Sequence, residues 1–595
     1  MDRFWHFMDQ LNGVLWHDYV LYVLLLVGLL FTVWSGFSQY RALTHGLAVV
    51  RGKFDERDDP GAINHFQALS TALSGTVGLG NIAGVAVAVS LGGPGAVLWM
   101  WVVGFVGMAL KLTEVTQAML FRNTDDPENP HGGAMWVCKK GFAKIHPALA
   151  PVGIVVGGIF CITVLISAIT GGNMFQAWNV AKITTAYFPS INPLVAGVVM
   201  SVVVGLTIIG GIKRIGAVTG RLVPFMCLLY LLGAIVVLAI NIGAVPSMLR
   251  LIVVSGLPPF LGGENANPTG AFLGGTFGYA FLWGMKRALF SNEAGQGSAP
   301  MAHAAAKTKE PVREGVVAGL EPFIDTLVVC TLTALVVLSS GAWNRGAAAT
   351  YDSMPGIVAA TDGSGNPISG QWVPDRVDLP AKPEAERKIS NVWRVNDELF
   401  IIVKAETDSK TGRDLHRLRG RVVSGESATD LRVSWSAYAA STAPTAHEAG
   451  IYLDLVGSSL TGYAFDRTVP GMGMWIVTLA AWLFAISTMI SWSYYGEQAT
   501  VFLLGKWAIL PYKLLYCVAI LIASAPNLIK SDVQLDALTA LGTGVMLWAN
   551  IPIMLIFGPM AMRAYHQYMK QLKGGEFKGH AYPSITDVAE GKDVQ

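Results

Sequence analysis

Charge is what this sequence has least of. Asp, Glu, Lys and Arg make up 14% of its 595 residues, where a soluble domain carries about 25%. A soluble protein of this size could not hide so much apolar surface without splitting into domains. Cysteine is scarcer still. The five (Cys138, Cys161, Cys227, Cys330, Cys517) are scattered, with no CxxC and no metal-ligand spacing. That excludes a disulfide framework, and four of them sit in apolar runs as small buried thiols. Catalytic motifs are missing too: there is no P-loop, no HExxH, no GxSxG and no dinucleotide fingerprint after a strand. Ser298 in QGSAP lacks nucleophile-elbow spacing, and His303 has no metal partner at useful spacing and reads as structural. ATP-driven pumping and enzyme chemistry are set aside. The formal net charge of +2 gives no footing for a nucleic-acid partner. The N-terminal MDRFWHFMDQ is interrupted by Asp and His before any apolar core, so it reads as retained rather than as a cleaved signal.

What is abundant is apolar sequence, 52% of the chain, with a mean hydropathy of +0.48. A helix crossing a bilayer needs about 20 mostly apolar residues. About eleven runs qualify, near 18–37, 68–90, 96–120, 152–180, 194–211, 216–240, 269–290, 316–340, 471–494, 509–525 and 537–561. Cations gather in alternate loops: Arg41, Arg51, Lys53 and Arg57; Arg122, Lys139, Lys140 and Lys144; Lys213 and Arg214; Lys307, Lys309 and Arg313; Lys506; then Arg563, Lys570, Lys573 and Lys578 in the tail. By the positive-inside rule the N-terminus lies outside and the tail in the cytoplasm.

One stretch breaks the rhythm. Residues 341–470 are polar and far longer than an ordinary loop, and their parity places them outside. The Gly-, Pro- and Asp-rich part up to about Pro383 reads as loosely ordered. Asn391–Ala405 reads as two short strands around Asn396-Asp397, and Leu431–Tyr438 as another, making a small β-rich domain. A structural cap or a partner-docking surface suits it as well as solute capture. The chain divides into 1–65 (first helix and cytoplasmic loop), 66–340 (core helices 1–7), the 341–470 insert, 471–562 (core helices 8–10) and the 563–595 tail.

Glycine, at 66 residues, is over-represented, and its placement is informative. Gly75, Gly78 and Gly80 fall within six residues of one apolar run, each costing a helix interior about 1 kcal/mol relative to Ala. Helix packing through small residues is one explanation. An unwound segment lining a cavity, with N–H groups toward an anion and carbonyls toward a cation, is the other. A second interruption, PTGAFLGG at Pro268–Gly275, opens a run five helices later. Paired interruptions at equivalent places in two halves point to an inverted-repeat binding site. With the first helix as an accessory, the core becomes five plus five, broken in its helices 1 and 6.

Four segments, in order, resemble the alanine/glycine:cation symporter family: GTVGLGNIAGVA at Gly75–Ala86, GGPGAVLWMWVVGFVG at Gly92–Gly107, FSNEAGQGSAPMAHAAA at Phe290–Ala306 and SWSYYGEQA at Ser491–Ala499. Leu98 and Gly104 are mild departures from its signature. The likeness spans about residues 60–560 and leaves out the insert, which typical members lack. It implies an all-α polytopic membrane protein of the leucine-transporter-like fold, a 5+5 inverted repeat plus one N-terminal helix. It also implies uptake of small neutral amino acids, alanine and glycine, driven by Na⁺ or, in some members, H⁺, across the plasma (bacterial inner) membrane. H⁺-coupled uptake, a passive channel and a solute sensor are the alternatives.

Carried over by position, the resemblance implies that N–H groups of Gly78–Gly80 meet the substrate carboxylate, with Thr76 and Asn81 beside them. Gln176 supplies a polar contact, and Phe272 with Gly274 and its neighbouring glycines walls a small side-chain pocket. Thr488 and Trp492 share one helix face, with Trp492 restricting the pocket. Carbonyls of Ser74 and Val77 and hydroxyls of Ser487 and Thr488 would hold Na⁺. A hydroxyl bonded back to its own helix is the plainer reading of the last two. Charges at membrane depth are functional or paired. Lys111 and Glu114 are three apart on one face and could pair; Lys286, Arg287, Glu293, Glu321 and Asp325 read as inner-gate or packing elements.

Overall fold

The computed structural model describes residues 2–591 apart from 57, 391, 409–410, 426–429, 526–531 and 578; Arg57, Asn391 and Lys578 therefore lie outside the described residues. The molecule is a helical bundle carrying a β-rich domain at one end. Its first helix, α1 (His6–Trp34), turns at Trp16–His17. The next span is bent: α2 (His65–Thr76) and α3 (Gly80–Gly92) meet at 51°. There follow α4 (Gly95–Phe121), α5 (Pro147–Tyr187), α6 (Pro193–Ile208), α7 (Gly211–Ile240), α8 (Ile242–Gly256), α9 (Phe277–Asn292) and α10 (Pro311–Ser339). Beyond the β domain come α11 (Ser458–Thr468), α12 (Gly473–Leu504), α13 (Lys506–Ser524), α14 (Ala537–Lys573) and the short α15 (Ile585–Glu590).

Among the described residues, eight helices are long and apolar enough to cross a membrane, nine with the bent pair counted as one span. The eleven expected from sequence exceed this by two, for an identifiable reason. The run near 194–211 forms α6, of 16 residues, because Gly210–Gly211 separates it from α7. The run near 269–290 yields a helix only from Phe277, also of 16 residues, since its glycine-rich start is a loop. At 1.5 Å per residue each is about 24 Å long.

The polar segments sort into two groups by contact. Arg413, Arg417 and Arg394 of the insert donate to carbonyls of Leu91, Ala271 and Ala186, at helix ends and a turn beside the loops of cation-poor parity. Loops of the other parity meet one another and the tail: Lys309 pairs with Asp59 at 3.1 Å, Lys213 with Glu128 and Lys506 with Asp126. The tail joins this group, with Tyr582 under Arg51 and Lys53 and the His580 N–H on the Lys53 carbonyl. Asn64 and Gln67, at the start of α2, donate to the Val588 and Ala589 carbonyls of α15. The alternation of charge along the sequence is thus a division between two ends of the fold.

Among its described residues the insert holds eight strands: β1 (Ala349–Thr350), β2 (Ile357–Thr361), β3 (Pro367–Pro374), β4 (Glu398–Lys404), β5 (Leu415–Ser424), β6 (Leu431–Trp435), β7 (Tyr438–Ala439) and β8 (Thr445–Leu453). They form a five-stranded sheet ordered β1-β8-β4-β5-β6 and a three-stranded sheet β2-β3-β7, with antiparallel pairing throughout. Three expectations need correcting. Asn391–Ala405 contributes one strand, because Asn396 adopts a positive φ of 75° and turns the chain ahead of β4. The stretch before Pro383 is built into β1–β3. Residues 458–468 form α11, whose Leu460, Ala464 and Phe465 are buried in the helical core, so the end of the polar stretch belongs to the bundle rather than to the β domain.

Candidate functional site

The bend between α2 and α3 follows from local chemistry. Thr76 ends α2, and Val77 leaves the helical region (φ −76°, ψ 84°). Asn81 then closes the turn: its Oδ1 accepts the Gly78 N–H at 2.9 Å, and its own N–H donates to the Gly78 carbonyl at 3.1 Å. Three π-helical turns, Gly80–Gly84, Thr170–Met174 in α5 and Phe323–Cys330 in α10, lie around the bend. Such turns, common at functional sites, each leave a helix with displaced backbone bonds.

A cavity opens there, lined by Gly75, Thr76, Gly78, Gly80, Ser167, Gly171, Gln176, Phe290, Glu293, Gln296, Thr488, Trp492, Thr539 and Thr543. It offers about 30 Å³ to the centres of water-sized atoms, against roughly 10–15 Å³ for one water, which suits a ligand of a few heavy atoms. Gln176 Oε1, Thr488 Oγ1, Ser167 Oγ and Gln296 Oε1 are buried without hydrogen-bond partners. Buried polar atoms are ordinarily satisfied, so four of them around one cavity make it the candidate ligand site. Gly78 is required for close approach: a Cβ there would lie 2.5 Å from Thr488 Oγ1 and 3.8 Å from Gln176 Oε1. Gly172 seats Trp492 in the same way, since its Cβ would fall 2.2 Å from the indole Cγ.

Of the residues anticipated from sequence, Thr76, Gly78, Gly80, Gln176, Thr488 and Trp492 line this cavity. Asn81 stands behind it as a brace, its amide donating to Asp325 Oδ1 at 2.5 Å. The Gly78 N–H is occupied by that brace, so Gly80, at the start of α3, is the better-placed anion donor of the pair. Phe272 and Gly274 are not brought to the cavity. Pro268–Gly275 is a small hairpin, bridged Ala266–Gly275 and Thr269–Phe272, and Phe272 packs on Trp343 beneath Arg413. The interruption that reaches the cavity lies after α9: Glu293 (φ 54°), Gly295 (83°) and Gly297 (80°) carry the chain in left-handed turns to Pro300. FSNEAGQGSAP is polar, so its glycines do not stand out as an interruption the way glycines inside an apolar run do. Thr539 and Thr543 were also missed; their i, i+4 spacing within an apolar run was the available signal.

Ser74, Ser487 and Thr488 come together where α2 packs on α12. Ser74 Oγ donates to the Ser487 carbonyl at 2.6 Å, and Ser491 Oγ to the Thr71 carbonyl at 2.7 Å. Ser487 Oγ donates to the Phe484 carbonyl of its own helix, leaving oxygen lone pairs free to accept. Thr488 Oγ1 is the unsatisfied member. Val77 is fully buried beside them.

A chain of buried charges links α4 and α10 to the start of α2. Lys111 lies 3.6 Å from Glu114 and 3.3 Å from Glu321; His303 bridges Glu321 at 2.6 Å and Glu314 at 2.5 Å; Glu314 also meets His65. Asn550 adds an amide donor to Glu114. His303, anticipated as structural, is a linker in this network. Asp325 belongs elsewhere, accepting from Asn81, Ser291 and Thr326.

The sequence is similar to known transporters over nearly its whole length. A family model described as the sodium:alanine symporter family matches residues 1–374 and 435–581. The sodium/alanine symporter AgcS of Methanococcus maripaludis is 33% identical over 509 residues, covering 86% of each chain. A Bacillus subtilis protein described as a sodium/proton-dependent alanine carrier, YrbD, is 30% identical over 578 residues, covering 96% of this chain and 93% of its own. A second B. subtilis protein, GlnT, named for sodium/glutamine symport, is 33% identical over 369 residues, 62% of this chain and 71% of its own. The matched ranges leave out 375–434, the middle of the β domain.

Proposed function

The chain belongs to the sodium:alanine symporter family, a multi-pass membrane transporter rather than an enzyme, and on that premise we propose that it imports alanine and glycine with Na⁺ by alternating access. The observation that carries this reading is the small cavity at the α2–α3 bend, where unpartnered Gln176 Oε1 and Thr488 Oγ1 face glycine backbone beneath Trp492. An amino acid places its carboxylate at the α3 N-terminus near Gly80, where helix-end N–H groups favour an anion. Its ammonium meets the Gln176 amide oxygen, and Trp492 limits the side chain. Na⁺ takes oxygens of Ser74, Val77, Ser487 and Thr488, a hard ligand set suited to a hard cation. The fold is the leucine-transporter-like inverted repeat, with α2–α3 and the segment after α9 as its two interrupted helices. The tail-side end faces the cytoplasm and the β domain faces outward, an orientation that the cation distribution supports. The protein acts in the plasma membrane.

Uptake of labelled alanine into proteoliposomes under an imposed Na⁺ gradient tests this. Accumulation should follow the gradient and collapse when it is dissipated. Accumulation indifferent to both Na⁺ and H⁺ gradients would overturn coupled transport in favour of a passive facilitator.

A further inference from the structure

The coupled-transport reading leaves the one charged residue of the cavity lining unused. Glu293 lines the cavity, is 3% exposed, and accepts a hydrogen bond from Ser298 Oγ. The buried cations nearby are committed elsewhere: Lys111 lies between Glu114 and Glu321, and His303 between Glu314 and Glu321. Among the described residues no Lys, Arg or His forms an ion pair with Glu293. A buried carboxylate without a countercharge is costly enough that it takes up a cation or a proton. Two independent features point to a ligand. Gln296 Oε1, fully buried and lining the same cavity, has no partner, and Tyr495 Oη, also unpartnered, lies 2.9 Å from the position of a Cβ on the cavity-lining Gly75. Glu293 also holds its positive φ although it is not glycine, a strained backbone of the kind kept at functional sites.

We propose that Glu293, with the amide oxygen of Gln296 and the hydroxyl of Tyr495, forms a second site for a monovalent coupling cation, distinct from the Ser74–Val77–Ser487–Thr488 site. The ligands are all oxygen, and the carboxylate supplies the one formal negative charge. Sodium ion and proton share this chemistry. The charged groups acting on Glu293 from the packed elements are Lys111 on α4 and Glu321 and Asp325 on α10. Both signs are present, and none of these groups sits on it as a fixed countercharge.

The inference rests on the coupled-transport reading, and one measurement separates their failures. The full chain in proteoliposomes is brought to zero net alanine flux by a potassium-diffusion potential, at set Na⁺ and pH gradients, giving the number of cations carried per alanine. Wild type should carry two. Glu293→Gln should carry one, and Gln296→Leu, which keeps the charge, should right-shift dependence on the second cation at least fivefold. If varying the Na⁺ gradient moves the zero-flux potential through the Glu293 step, the ion is sodium; if varying pH does, it is the proton. A wild-type ratio of one overturns the second site whatever the variants do, and so does a ratio unchanged in Glu293→Gln. Weakened alanine binding in Glu293→Gln at an unchanged ratio assigns the carboxylate to the substrate ammonium and equally overturns it. Wild type that accumulates alanine under neither gradient fails the transport reading itself.

Discussion

Asn81 and Asp325 meet side chain to side chain at 2.5 Å, and through Asn81 the acid reaches the substrate cavity. The same amide side chain accepts the Gly78 N–H, so a carboxylate on α10 holds the backbone of a bend made by α2 and α3. On the proposed reading Asp325 acts as a positioning residue. Asn81→Ala removes a buried hydrogen bond to a charged group, a loss of about 1.5–3 kcal/mol. Half-saturation for alanine should rise roughly ten- to a hundredfold, measured by uptake at saturating Na⁺. An unchanged value would remove the brace from the site.

Thr488 is the unsatisfied hydroxyl of the proposed sodium site. Thr488→Ala should raise the Na⁺ concentration for half-maximal uptake by about tenfold, the equivalent of 1.4 kcal/mol, whereas Thr488→Ser should stay near wild type. An equal loss in the two variants would mean that the methyl, not the hydroxyl, matters, and no loss in either would remove Thr488 from the sodium site.

Trp492 closes the cavity against Gly172. Trp492→Ala frees the space of an indole, so larger neutral amino acids should compete with alanine uptake where they do not in wild type. Competition assays against serine, threonine, leucine and glutamine check this directly. A selectivity pattern identical to wild type would place the size filter elsewhere.

Lys111 answers two buried carboxylates at once. Lys111→Met strands Glu114 and Glu321 and should cost about 3–5 kcal/mol, seen as a lowered melting temperature in detergent. The double variant Lys111→Met with Glu321→Gln should recover part of that loss, since one uncompensated charge is then removed. Failure to recover would mean that the pairing is not what stabilises this layer.

The β domain offers a test by excision. Tyr351 N–H donates to the Ala449 carbonyl at 2.9 Å, so residues 352–448 can be replaced by a short Gly-Ser linker without stretching the chain. That removes Arg413 and Arg417 and returns the Leu91 and Ala271 carbonyls to other donors. Alanine uptake by the excised protein should remain within about threefold of wild type, as expected when an exposed excursion is trimmed between adjacent ends. Abolished uptake would make the domain part of the transport machinery.

Much of this architecture is legible in the sequence because the bilayer constrains it tightly. Apolar runs had to be helices, and loop cations had to alternate. The first broken helix announced itself because three glycines in an apolar run have few uses. The second did not. At Glu293–Ala299 the chain breaks in polar sequence, where glycines look like an ordinary turn, while the conspicuous glycines of Pro268–Gly275 turned out to form a hairpin under Trp343 and Arg413. The network from Lys111 to His65 was legible only in its one local pair, Lys111 with Glu114. The links of Glu321, His303, Glu314 and His65 join α2, α4 and α10 with the segment between α9 and α10, and no spacing along the chain encodes them.

The tail's grip on α2 has a bearing on how the protein is made. Asn64 and Gln67 are synthesised early, but their partners Val588 and Ala589 leave the ribosome more than five hundred residues later. The lower half of the broken helix can therefore be fastened only after every span has emerged. A chain truncated before residue 585 would keep every span yet lack α15 and this closure.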